Sequence, residues 1–188
     1  MSASDAVPGS RPQTGRPTAT DIVFLVSMVV LTGVIAFLGR MTFVEGLKTE
    51  SGKARAEALL AWMGEARLER SASGFVPEAC AMQRPPGAEP GSWGACARAL
   101  FATGGPLHDS RNAFSGQSIG LISRCESGDL ATAGQIVIDR IAATPPGSAV
   151  AFVVTPISSE DRIDQRLNLR ITLCDKGGYP IRVGETEF

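Results

Sequence analysis

The stretch Ile22–Gly39, IVFLVSMVVLTGVIAFLG, runs for eighteen residues without a charge. At about 1.5 Å of rise per residue such a helix measures roughly 27 Å, close to the hydrocarbon thickness of a bilayer. A cleaved signal peptide has an apolar core of only about 7–15 residues ending at a small-residue site. No such site follows Leu38, so the sequence predicts a retained signal anchor over residues 21–39. The competing reading, a buried core helix, needs a large protein around it, and about 149 residues follow this one.

The flanks divide the chain. Met1–Thr20 is rich in Ser, Thr, Pro and Gly and has no apolar periodicity, which predicts a disordered tail over residues 1–20. Thr20 or Asp21 stands where an N-cap is wanted. Met41–Arg70 holds no proline and is heavy in Ala, Leu, Glu, Lys and Arg, so the helix should run on as a stalk over residues 40–72. Gly46 and Gly52 are the places where it could kink or break. Ala54, Ala58, Ala61, Trp62 and Leu68 form a stripe read as a helix-packing face, with Lys53/Glu57 and Glu65/Glu69 assigned to the outer side.

Residues 73–188 make up one outer α+β domain in this reading. Ala95–Phe101 looks like a short helical turn. Five β-rich runs follow: SIGLISRC, GQIVIDRIAA, SAVAFVVTPI, RLNLRITLC and YPIRVGETEF, separated by Gly, Pro, Ser and Asp clusters. In the fourth run Leu167, Leu169, Ile171 and Leu173 alternate with Asn168, Arg170, Thr172 and Cys174, the signature of a half-buried antiparallel strand. Asp175–Gly178 is a turn that would pair Arg166–Cys174 with Tyr179–Phe188 as a hairpin. The expected fold is α+β: a long N-terminal helix, transmembrane and then amphipathic, packed on a small C-terminal antiparallel sheet.

Cys80, Cys96, Cys125 and Cys174 are even in number, lie on one side of the anchor and match no zinc spacing. Cys80 and Cys96 bracket a Pro/Gly-rich loop of a size a disulfide closes well. That pairing leaves Cys125 with Cys174, although four cysteines allow three connectivities. Counting basic residues alone, Arg11 and Arg16 against Arg40, Lys48, Lys53 and Arg55, would put the C-terminal side in the cytoplasm. The one-sided cysteines and the short N-terminal tail argue for the opposite orientation, which is the reading adopted: a single-pass cell-membrane protein with its C-terminal domain extracytoplasmic, or periplasmic.

The chemistry-bearing residues are sparse. A net charge of -1 gives no footprint for nucleic acid. His108, the sole histidine, sits in a turn beside Asp109 and Ser110, where a solvated role outweighs a triad. A thiol at Cys96 or Cys125 is better spent in a disulfide. Glu160, Asp161 and Asp164 form an acidic turn without the ligand order of an EF-hand. Trp62 is read as a core contact and Trp93 as a packer of the disulfide loop. No catalytic residue, metal or cofactor is expected.

A hydrophobic helix continuing as an Ala-rich helix, a Pro/Gly-rich region and a cysteine-bearing antiparallel sheet, in that order from Asp21 to Phe188, resembles type IV pilins and the pseudopilins of type II secretion. In that family Gly followed by Phe or Met marks the cleavage site, with Glu five residues into the mature chain; here the helix opens TATDIVFLVS, with neither. The resemblance therefore implies a minor, accessory or divergent subunit: non-enzymatic, bound to the membrane, with protein partners or further copies of itself meeting the N-terminal helix. Two other classes stand beside it, a single-pass envelope protein whose outer domain binds a partner, and an anchored envelope enzyme or inhibitor.

Overall fold

A computed structural model describes residues 18–73, 80, 91–163 and 165–188. The tail up to residue 17, most of the loop between Cys80 and Cys96, and Asp164 lie outside the described residues. The chain divides into two compact units, Met1–Phe43 and Val44–Phe188, so much of the stretch read as a stalk belongs to the folded body.

One helix, α1, covers Ala19–Ser73, 55 residues, passing Gly46 and Gly52 without a break. Its start lies earlier than the sequence suggested. The Thr18 hydroxyl accepts from the Asp21 backbone N–H at 3.3 Å, and the Asp21 carboxylate accepts from the Thr18 N–H at 2.8 Å. This is a reciprocal capping box, in which Asp21 is the third helical residue and Thr18 the cap. The apolar run is long enough to cross a membrane, with a mean hydropathy of 2.7 in its best window, and its large side chains from Ile22 to Phe43 are exposed.

In the second unit α1 is followed by α2 (Trp93–Phe101), β1 (Leu121–Ile122), β2 (Ile136–Ala143), β3 (Phe152–Pro156), β4 (Asn168–Cys174) and β5 (Pro180–Glu187). All five strands fall within the runs picked out by composition. Their order is β1-β2-β4-β5, with β3 on the same edge of β2 as β1. Every pairing is antiparallel except the two-residue β1–β2 contact, which is parallel and which alternation alone could not reveal.

The alternation in β4 decides the core. Leu169, Ile171 and Leu173 are fully buried with Ile136 and Ile138 of β2, and α1 supplies Ala56, Leu59, Met63 and Ala66 to the same cluster. These four recur every three or four residues, so they line one helix face. Close approach is possible because Gly52 stands over Leu173: a Cβ there would lie 3.1 Å from a Leu173 methyl. A bulge in β5 between the Thr172↔Arg182 and Ile171↔Gly184 pairs turns Val183 against the core and sets Gly184 beneath Leu60.

The C-terminal residue closes the packing. Phe188 is buried and exchanges backbone hydrogen bonds with Leu167. Its ring stacks on half-buried Trp62, centroids 6.2 Å apart, and meets the edge of Trp93 at 6.1 Å. The N-terminus of α2 is tied by Trp93 N–H donating to Asp161 O (2.7 Å) and Gly94 N–H to Ser159 O (2.9 Å). Disulfides join Cys80 to Cys96 and Cys125 to Cys174.

In the β4–β5 turn the Asp175 carboxylate accepts from Gly177 and Tyr179 N–H, both at 2.8 Å. Gly178 adopts φ +74°, and a Cβ there would fall 2.1 Å from the Glu126 carbonyl oxygen. Gly178→Ala should therefore lower stability by more than about 1 kcal/mol, visible as a reduced urea midpoint. An unchanged midpoint would show that the turn relaxes at no cost.

Candidate functional site

Three places bear on function: the outer face of α1, the polar turns, and the open face of the sheet. On α1, Ala54, Ala58 and Ala61 are exposed on the side opposite Ala56, Leu59 and Met63. Among the described residues, nothing covers this part of the small-residue stripe. Trp62, read together with it, turns instead toward the body. Glu57 and Glu65 are exposed too, and Glu65 follows Ala61 by four residues and Ala58 by seven, which puts it on the alanine face and not on a separate outer side. Before this stretch Lys176 pairs with Glu45, and within it the Arg55 guanidinium donates to the Arg111 carbonyl.

His108 is exposed, its Nδ1 3.3 Å from the still more exposed Asp109 Oδ2. In the acidic turn Asp161 is committed twice: its carboxylate holds Arg140 at 2.9 Å and accepts from Ser158 N–H at 2.7 Å. Among the described residues no His, Cys, Asp and Glu group could hold a metal ion. With both disulfides formed, neither Cys96 nor Cys125 carries a free thiol.

The second sheet face, turned away from α1, was not anticipated. Strand register places Pro156, Asp139, Arg170 and Glu185 in one cross-strand row, and Val137, Thr172 and Arg182 in the next. With Arg124 and Cys125 from the loop after β1, and Val154 and Pro180, all of these except Glu185 line an open depression of about 480 Å³. Glu185 Oε1 accepts from Arg170 Nε at 2.9 Å and from Arg182 at 2.8 Å. Arg124 pairs with Glu126 at 2.9 Å. Sequence reading could find such a face only from the register, because its members come from four strands and a loop.

Burial on this face pushes the half-buried Asp139 carboxyl above its ordinary range, while the neighbouring Arg170 guanidinium pulls it partly back. A folded-state value above the unfolded one means that the native protein binds this proton more tightly. The contribution is present below the unfolded pKa and lost as pH rises through the folded value. Asp139→Asn should therefore match the wild type in acid and become the more stable of the two as pH rises toward neutrality, in urea titrations across pH 3–7. A gain that grows toward acid would contradict this assignment.

The chain matches no family model, no curated protein and no solved structure.

Proposed function

We propose that the protein is a membrane-anchored, non-enzymatic assembly subunit of the cell envelope, pilin-like in build, with its disulfide-bonded body outside the cytoplasm. One observation carries the reading. A single helix contains both an uncharged run long enough to span a bilayer and a stretch whose Leu59/Met63 face packs on the sheet, while its Ala54/Ala58/Ala61 face is left exposed. Small residues let helices approach closely, so that free face suits lateral packing against partner helices or further copies of the chain. The two disulfides suit an oxidising compartment.

The expected results are two. A reporter active only outside the cytoplasm, fused after Phe188, should be active, and mild detergent extracts should contain lateral oligomers. A silent reporter in a stably expressed fusion would overturn the orientation. Strictly monomeric extracts would favour a second reading, a single-pass protein whose outer domain binds a partner; the open, arginine-lined sheet face is the observation that supports it.

A further inference from the structure

We infer that β3 is a pairing edge for a second copy of this chain, the two β3 strands running antiparallel across a twofold axis at Val153. On its inner side β3 pairs with β2, and no strand pairs with its outer side. The Thr144 N–H donates to Ala151 O and the Ile157 N–H to Ile138 O, with an unbroken register between them. Odd-numbered residues of β3 therefore bond to β2, and Phe152 and Val154 turn their N–H and C=O groups to the outer edge. Among the described residues nothing meets these four groups. The side chains are open as well: Phe152 is 64%, Val153 42% and Val154 38% exposed. Edge strands are commonly guarded by charged side chains, yet from Ile141 to Ser159 the chain carries none.

The edge is complementary to itself. With Val153 opposite its own counterpart, Phe152 of each copy meets Val154 of the other, and the four outward groups of one strand satisfy those of the second. The next pair sets Pro156, which has no N–H, against Val150, whose carbonyl already accepts from the Thr144 hydroxyl. The missing donor thus leaves no acceptor short. Phe152 against Val154 is an aromatic and β-branched cross-strand pair, a stabilising combination, and no like charges are brought together. Gly52 stands over Leu173 and Gly184 lies beneath Leu60, so α1 runs along β5 and opposite to β3. In the pair the body segments of the two α1 helices run in opposite directions. This contact therefore joins copies that face each other, and it is separate from side-by-side packing through Ala54, Ala58 and Ala61.

The test uses the full chain in detergent, with Val153→Cys oxidised by copper phenanthroline. Val153 meets its counterpart at a non-hydrogen-bonded position, where opposed Cα atoms lie about 4.5 Å apart, within reach of a disulfide. Val153→Cys should form a disulfide dimer at least about tenfold faster than Leu130→Cys, at an exposed loop residue. Val153→Lys sets two ammonium groups opposite each other and should weaken the dimer at least about tenfold in analytical ultracentrifugation. Near-ultraviolet circular dichroism checks that this variant is folded; should it be misfolded, the two cross-linking rates decide alone. Equal rates at the two cysteines, or unchanged association of a folded Val153→Lys, overturns the proposal. So does a strictly monomeric wild type, which would leave the edge to a strand of another protein. Adding Ala58→Trp to Val153→Cys should leave the cross-linked dimer intact, so this contact and the assembly reading fail separately.

Discussion

Replacing Cys125 and Cys174 together by alanine will lower the stability of the folded body by about 4 kcal/mol, as expected for a bridge closing a loop of this length. The two cysteines are 49 residues apart in sequence. Cys125 follows β1 and Cys174 ends β4, so the bridge holds the loop after β1 to a central strand. Its loss frees the chain that carries Arg124 as well as enlarging the unfolded ensemble. For a domain of this size the melting temperature should fall by roughly 8–16 °C. The Cys80–Cys96 bridge, with a separation of 16, closes a shorter loop and should cost less, about 3 kcal/mol. Equal melting temperatures for wild type and the Cys125/Cys174 variant would show that β2–β4 pairing alone fixes this region.

A comparable loss is expected from Leu59→Ala. Leu59 is fully buried between α1 and the sheet, in the cluster with Leu169, Ile171 and Leu173. Truncation removes transfer energy and leaves a cavity, together about 2–5 kcal/mol. The neighbouring Ala58 is exposed, and Ala58→Trp should change folding stability by no more than about 0.5 kcal/mol, the range of surface substitutions. Urea unfolding followed by the fluorescence of Trp62 and Trp93, both packed on Phe188, will separate the two. If Leu59→Ala were as stable as wild type, α1 would not contribute to the core as described.

Much of this was legible in the chain because the signals are local. The uncharged run from Ile22, the period-two alternation of Leu167–Leu173 and the Asp175–Gly178 turn each depend on neighbours in sequence. The short loop between Cys80 and Cys96, with Cys125 and Cys174 left over, led to the pairing that the structure shows. The docking face of α1 was harder to see. Alanines are spread around the helix between residues 54 and 66, and only the large side chains Leu59 and Met63 mark which side meets the sheet. Non-local features escaped: the parallel β1–β2 contact, the burial of Phe188 between two tryptophans, and the arginine-lined face. Each needs a register between distant segments that one sequence does not supply.

The exposed alanine face of α1 is the feature on which the assembly reading depends. Chemical cross-linking of wild type and Ala58→Trp in native membranes, run beside protease resistance of the folded body, tests it most directly. A bulky side chain at a close helix contact overpacks it locally. The account predicts that Ala58→Trp loses or shifts the lateral cross-linked species seen in wild type while its protease-resistant body stays the same. Identical cross-link patterns in the two proteins would contradict it.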